Sequence, residues 1–466
     1  MWNLCEKGAS VALIDGCRNV TYAELYAICD LLGKQIPNRS LVFCLCTNTV
    51  GSVAGYLAFT EGGQVPLLLD SKISNDLLKQ LMESYRPAYL WIPSTMIDQF
   101  TDCNFVFAIE GYSLLKTNYD PSYPMSEDLC VLISTSGSTG SPKLVRQSYT
   151  NIMSNTKAII EYLGITPEEC SITSLPMNYV YGLSVLNTHI YTGASLVLTD
   201  MIPYAKQFWE IVADKEVTSF AGVPFTYEIM DKLHILKLDL PHLRTLTQAG
   251  GKLSPELHLK YAKWAEENGK HFVVMYGASE ATARMGYLPY DRSIEKQGSM
   301  GIPIPGGRFE LIGADGEIIN DPDQVGELVY YGDNVTLGYA LTGADLIKPD
   351  ENHGRLETGD MAKRDADGFY YIVGRKKRFL KMLGKRTNLD EVERLLKRHF
   401  DTVDIACSGK DDELWIYVVD EALKNEVVEY VFTELAINRK LQKVGVIPEI
   451  PKNDSQKIRY SALPEL

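Results

Sequence analysis

The chain has no apolar run of the ~18 residues that a membrane-spanning helix needs. The stretch nearest to one, residues 41–59, is interrupted by Thr47, Asn48, Thr49, Gly51 and Ser52, so no membrane span is expected. The first residues carry an acidic side chain early and no basic segment ahead of an apolar one, so no secretory signal peptide is expected either. There is no C-x-x-C pair. The nine cysteines, odd in number and irregularly spaced from Cys5 to Cys407, fit a reducing cytoplasm. Cys44 and Cys46 fall in an apolar run that reads as a buried strand; they are expected on opposite faces of it, a poor metal site. None of the seven histidines pairs with another at H-x-x-x-H spacing, which argues against structural zinc. Basic charge is also short: 46 Lys and Arg against 60 Asp and Glu give a formal net charge of −14. Proteins bind nucleic acid largely by neutralising phosphates with Lys and Arg. Nucleic acid and anionic membrane surfaces are therefore not expected partners.

What is present is an ordinary globular composition, 45% hydrophobic and 23% charged over 466 residues. At ~150 residues per domain, that length suits about three domains, or one large domain and a small one. Short apolar runs recur at residues 41–45, 65–69, 131–133, 195–198 and 272–275, with amphipathic stretches such as 22–35 and 152–163 between them. Strands alternating with helices imply βαβ units and parallel sheets buried on both faces. After Arg292 the chain turns to short strands with many Gly and Pro turns, the texture of a small barrel or distorted sheet. From Lys376 onward there are 17 basic and 16 acidic residues, against 29 and 44 before it. The basic excess sits at the junction, on Lys376, Lys377, Arg378, Lys381, Lys385 and Arg386. A helix over 388–400, a strand over 414–419 and a helix over 427–439 are expected beyond it, a small α/β unit of its own.

Three segments carry chemistry. Residues 129–145, LCVLISTSGSTGSPKLV, run an apolar strand into a Ser/Thr/Gly loop closed by Pro142 and Lys143. Glycines and small hydroxyl residues let backbone N–H groups wrap phosphate oxygens, and a lysine adds a mobile positive charge. The G-x-x-G-x-x-K spacing differs from that of a P-loop NTPase, and a plain flexible loop is the competing reading. Residues 273–280, VVMYGASE, present Ser279 and Glu280 at the C-terminal end of a strand, where open α/β sheets bind ligands. Glu280 there could hold Mg²⁺; alternatively, Ser279 is a helix N-cap. In the third segment, 357–360, Asp360 could take a ribose diol. The simpler reading is a turn residue beside a hairpin whose turn is Asp367-Gly368.

Together and in this order, the segments resemble the AMP-forming adenylate synthetases: acyl-CoA synthetases, firefly-type luciferases and the adenylation domains of peptide synthetases. The likeness also takes in TYAEL at 21–25, Ala249-Gly250-Gly251, GSMGIPIPGG, GELVYYGDNVTLGY, GRKKRFLKMLGKR and PKNDSQKIRY, nearly the whole chain. It implies an α/β fold: a large N-terminal adenylate-forming domain, 1–375, built from two parallel-sheet subdomains and a small distorted β-barrel. A small mobile α+β C-terminal domain, 376–466, would follow, swinging about a hinge near Lys377. It further implies that a carboxylic acid and ATP give an acyl-adenylate and pyrophosphate, and that a thiol, CoA first, takes the acyl group.

By motif position, Thr135, Ser136, Gly137, Ser138, Thr139, Gly140 and Lys143 would hold the β- and γ-phosphates. Tyr276, with Gly277 and Ala278, would stack on adenine beside Ala249, Gly250 and Gly251. Ser279 would contact the α-phosphate, Glu280 would ligate Mg²⁺, and Asp360 would take the ribose with Arg375 beside it. Lys457 would bridge carboxylate and α-phosphate. Tyr179, Tyr181, Gly182, Arg284 and Met285 would line the acyl pocket.

This sequence departs from the pattern at Leu144, Tyr149, Tyr179 and Gln456. The ammonium-pairing aspartate of amino-acid-activating members falls near Gly182, which disfavours an α-amino acid. The pocket suggests a largely apolar acid, with Arg284 the exception: a structural salt-bridge residue or a selectivity handle. Transfer to a carrier-protein phosphopantetheine or to an amine is the alternative, and a non-catalytic nucleotide-binding relative the weaker one.

Overall fold

The computed structural model describes residues 1–119, 123–134, 143–382, 385–435, 437–452 and 457–466. They divide into a larger unit, the described residues of Met1–Thr135, Pro142–Phe309 and Tyr330–Leu356, and a smaller one that includes Glu310–Val329 and Glu357–Leu466.

Two sheets organise the larger unit. One has eight strands in the order Tyr339–Ala340, Leu144–Ser148, Leu129–Ser134, Val65–Asp70, Leu41–Cys46, Tyr89–Pro93, Tyr112–Lys116, Asn104–Ile109. Its four middle strands are parallel, and the outer ones pair antiparallel. The other has nine strands: Ile302–Pro303, Gly286–Tyr287, His271–Tyr276, Thr245–Gln248, Ser219–Gly222, Cys170–Ile172, Ser195–Leu198, Val11–Asp15, Arg18–Thr21. It too is parallel in the middle and antiparallel at its edges. Helices cover parallel strands on both faces, which is why Leu41–Cys46 is buried at every position and reads as an unbroken apolar run.

Cys44 and Cys46 share a face of that strand, contrary to the expectation. Side chains alternate with a period of two along a strand, so residues i and i+2 point the same way. Val42, Cys44 and Cys46 join one hydrophobic cluster; Leu41, Phe43 and Leu45 join another. Burial raises both thiol pKa values, that of Cys46 to about 12. Among the described residues no group of three or more His, Cys, Asp or Glu is placed to hold a metal ion.

In the smaller unit the Gly/Pro-rich segment forms a four-stranded sheet, Arg308–Ile312, Val325–Tyr331, Arg355–Arg364, Tyr370–Arg375. The last two pair antiparallel, ending at Arg364 opposite Tyr370. The connection between them is five residues long, unlike the expected two-residue Asp367-Gly368 turn. Asp365 shapes it, because its carboxylate accepts from the backbone N–H of Asp367 at 3.0 Å and of Phe369 at 2.9 Å. Further on, a two-stranded and a three-stranded sheet accompany helices Leu389–His399 and Leu423–Thr433 around a core that includes Leu396, Ile416 and Val427. The second helix starts and stops earlier than its periodicity suggests. Asn438 caps a separate single turn, Arg439–Leu441, with its side chain. Among the described residues no helix is long and apolar enough to cross a membrane.

Small residues decide one packing contact. Helix Val50–Glu61 is buried from Val50 to Thr60. A Cβ on its Gly55 would stand 2.1 Å from the indole nitrogen of Trp91. The indole has nowhere to go, since it is fully buried and donates to the Gly51 carbonyl at 3.0 Å. Alanine gains ~1 kcal/mol of helix propensity over glycine, whereas overpacking a core costs ~1–3 kcal/mol. At this distance the second effect wins. Gly55→Ala is expected to lower the thermal midpoint; a midpoint equal to or above that of the parent would show that the indole yields.

Candidate active site

The Ser/Thr/Gly loop is the connection of a hairpin. Strand Leu129–Ser134 pairs antiparallel with Leu144–Ser148, ending at Ser134 opposite Leu144. Thr135, Ser136, Gly137, Ser138, Thr139 and Gly140 lie outside the described residues, as does Gln456. Lys143 is described. Its ammonium sits 3.8 Å from the centre of the Tyr339 ring, and the Tyr339 hydroxyl donates to Oε1 of Glu280 at 2.6 Å. Burial, then the hydrogen bond to Glu280, push the Tyr339 pKa well up, so the phenol keeps its proton and donates it. Lysine, tyrosine and glutamate thus form one chain of contacts. Tyr339 belongs to the quoted motif GELVYYGDNVTLGY, yet nothing in the sequence assigns it a role.

Glu280 is held by its backbone. Strand His271–Tyr276 ends at Tyr276, paired with Gly286. At Gly277 the chain passes so close to its own return that a Cβ would meet the Ala283 carbonyl oxygen at 1.8 Å. Ser279 opens a single 3₁₀ turn, Ser279–Ala281, and Ala278 precedes it, so Ser279 does not serve as the N-cap of a longer helix. Thr282 then adopts a φ of 65°, a conformation that costs a β-branched residue about 1–3 kcal/mol. Its hydroxyl donates to the Asn334 carbonyl at 2.7 Å. The Asn334 amide donates in turn to the carbonyls of Ala281 and Arg284, at 2.9 and 2.8 Å. The strained turn is stapled from three sides and presents a half-buried carboxylate with Oε2 clear of any hydrogen-bond partner among the described residues. A Mg²⁺ ion takes oxygen ligands, commonly one or two carboxylates together with substrate phosphates, and Glu280 fits that donor set.

The expected acyl-pocket residues come together in the same unit. Tyr181 is buried and hydrogen-bonds Thr247 at 2.8 Å; burial pushes its pKa up to about 12. Tyr179 and Tyr181 pack edge to face, 6.4 Å between ring centres. The hydroxyl of Tyr179 lies over Gly250, 2.7 Å from where a Cβ would be. Gly182 lets helix Val180–Thr192 rest on the Pro176 carbonyl. Ala249 and Met275 pack with Tyr181, Gly251 accepts from the Gln248 amide at 2.9 Å, and Met285 is fully buried. Arg284 is 3% exposed, its guanidinium 3.9 Å from the centre of the Tyr181 ring.

In the smaller unit, Asp360 is buried and pairs across the hairpin with Arg375, Nε to Oδ1 at 2.8 Å. Lys457 stands near both. Crowding around it, then the Arg375 charge, lower its pKa, and Asp360 opposes them. Lys377 is exposed in the short turn Lys376–Arg378. Beside it, Arg378 is buried between Asp390, Glu393 and the Tyr460 ring.

The model of the AMP-binding enzyme family matches residues 3–340. The chain is 24% identical over 472 residues to the 2-succinylbenzoate–CoA ligase of Geobacillus sp. (strain WCH70), covering 98% of this chain and 94% of that one. It is 28% identical over 359 residues to the oxalate–CoA ligase of Saccharomyces cerevisiae, covering 74% and 64%. Among solved structures, Bacillus subtilis o-succinylbenzoate CoA synthetase with its acyl-adenylate intermediate superposes with a TM-score of 0.80 at 23% identity, over 100% of this chain and 98% of that one. ATP-bound MatB from Rhodopseudomonas palustris does so with a TM-score of 0.77 at 20% identity, over 99% and 97%. The fold is therefore the α/β adenylate-forming one. With most of its length matched by the family model, this chain belongs to the AMP-binding enzymes.

Proposed function

We propose that the protein is an AMP-forming acid–CoA ligase. It would join a carboxylic acid to AMP at the expense of ATP, releasing pyrophosphate, and then pass the acyl group to the thiol of CoA. The observation that carries this reading is the Lys143–Tyr339–Glu280 chain of contacts beside Gly277, in a chain of this family. CoA is the acceptor in the names of the similar ligases, and a carrier-protein acceptor has no comparable support. A cytoplasmic location goes with these co-substrates and with nine free thiols.

A carboxylate is a poor electrophile, and AMP is a far better leaving group than oxide. In the first half-reaction a carboxylate oxygen attacks the α-phosphorus and the bond to the β-phosphate oxygen breaks. Two anions must meet, and fixed positive charge placed where they meet offsets their repulsion. We assign that part to Lys457. The loop 135–140 and Lys143 would hold the β- and γ-phosphates, and Lys143 is oriented by the Tyr339 ring. Ser279 would contact the α-phosphate, while Tyr276, with Ala278 and residues 249–251, would receive adenine. Asp360, aligned by Arg375, would take the ribose hydroxyls. Glu280 would hold Mg²⁺, which neutralises charge on the departing pyrophosphate. In the second half-reaction a thiolate attacks the acyl carbon and AMP leaves. We also propose that residues 1–375 and 376–466 act as the two catalytic bodies, with the hinge at Lys377.

The direct test is ATP–pyrophosphate exchange with pooled carboxylic acids, followed by thioester formation on adding CoA. ATP binding without exchange in any pool would leave only a nucleotide-binding role. Glu280→Gln should lower exchange by ~10²–10³, the effect of losing one preorganised charge contact, and should raise the Mg²⁺ concentration needed for half-maximal rate. An unchanged Mg²⁺ dependence would assign Glu280 to the turn alone.

Lys457→Ala separates the two half-reactions. It should slow adenylate formation by ~10²–10³ yet still transfer the acyl group from a supplied acyl-adenylate to CoA at close to the parental rate. Equal losses in both steps, measured by single-turnover assays, would remove Lys457 from the adenylation step and the two-body mechanism with it.

A further inference from the structure

Arg284 is a buried cation that no carboxylate neutralises among the described residues. The residue is 3% exposed, and among the described residues no Asp or Glu forms an ion pair with it. Its guanidinium lies on the Tyr181 ring at 3.9 Å, and its Nε points at the Met275 sulfur at 3.4 Å. A ring face, a thioether and the neutral Tyr162 hydroxyl, which also bonds Arg284, are weak partners for a full charge. Taking such a charge out of water is costly unless an anion meets it.

The position is built with care. The Arg284 backbone N–H donates to Asn155 Oδ1 at 3.3 Å, and its carbonyl accepts from Asn155 Nδ2 and Asn334 Nδ2, both at 2.8 Å. Both backbone polar atoms of the residue are therefore tied. The side chain lines a small cavity of about 40 Å³ shared with Tyr181, Val185, Ala221, Thr247 and Met275. The carboxylate on the same lining, Glu169, is already engaged by Arg244 at 3.0 Å and by the Thr218 hydroxyl. Meanwhile the Arg284 backbone abuts the reaction edge: a Cβ at Gly277 would be 3.0 Å from the Arg284 Cα. The arginine thus links the Gly277–Glu280 turn to the wall of the acyl pocket.

We propose that Arg284 receives a second carboxylate on the acid, so that the substrate is a dicarboxylic acid activated at the carboxyl group away from Arg284. This rests on the ligase reading above, and it replaces the largely apolar acid that the pocket's composition suggests. A guanidinium offers parallel N–H donors that match a carboxylate in bidentate fashion. A site that buries such a group discriminates sharply against an analogue lacking the partner, because the charge is then left unmet.

The experiment compares chain-matched acids in ATP–pyrophosphate exchange: succinate with butyrate, glutarate with pentanoate, adipate with hexanoate, and phthalate with benzoate. In at least one pair the diacid should exceed the monoacid in kcat/KM by 100-fold or more. Arg284→Met should bring that ratio to near one or invert it, while Arg284→Lys should keep part of it. Titration calorimetry of the preferred diacid into the ATP-free protein gives a readout independent of turnover; binding should weaken at least tenfold in Arg284→Met, with the circular dichroism spectrum and thermal midpoint confirming that the variant folds. Equal use of monoacids and diacids by the parent protein overturns the proposal. So does an equal loss for every acid in Arg284→Met, which would place the arginine on the reacting carboxylate or the α-phosphate. If no acid supports exchange, the ligase reading fails instead, and diacid binding by calorimetry still decides the role of Arg284.

Discussion

A guanidinium with no exposure to solvent fixes the edge of the larger unit that carries Lys143 and Glu280. Arg146, in strand Leu144–Ser148, donates to the carbonyls of Lys348, Leu337 and Pro349 and pairs with Glu351 at 2.6 Å. Few groups other than arginine reach four acceptors from one buried position. The contact clamps residues 337–351 against the strand that follows the Ser/Thr/Gly loop. Tyr339 lies within that clamped segment, pairing with Val145, so the ring stays beside Lys143 and the hydroxyl beside Glu280. Remove the clamp and the lysine, the phenol and the carboxylate lose their common frame.

Two buried arginines in one unit therefore solve the same electrostatic problem differently. Arg146 has a carboxylate and three carbonyls around it, and its charge is met from within the chain. Arg284 has an aromatic face, a sulfur and a neutral phenol. The first arrangement is what a structural cation looks like; the second leaves the charge for the carboxylate that we propose it receives. The smaller unit supplies a third case of the structural kind. Glu393 accepts from Arg378, from the Cys407 N–H at 3.0 Å, from the Tyr460 hydroxyl and from Lys397. That single carboxylate ties helix Leu389–His399 to the neighbouring strand and to the terminal segment that carries Lys457.

Much of this was legible one residue at a time. Runs such as LVFCLC and VPLLLD announced strands because parallel sheets bury both faces, and the chain order of the chemical motifs announced the family. Legibility failed where geometry depends on partners far away in sequence. The Asp367-Gly368 pair looked like a two-residue turn, yet Asp365 set a longer loop by capturing two N–H groups. Ser279 looked like a helix cap, yet the closeness of Ala283 to Gly277 left room for only one 3₁₀ turn. Cys44 and Cys46 share a face for a simpler reason, the two-residue period of a strand.

By itself, then, the sequence determined the α/β class and the adenylate-forming family, because apolar periodicity and short motifs are local properties. The tertiary structure alone decided which charges are met and which are not. Burial gives each arginine its meaning, and burial depends on strands and loops more than a hundred residues apart. The 129-residue separation between Asn155 and Arg284, and the 59-residue separation between Glu280 and Tyr339, are closed only by folding. No local pattern encodes them.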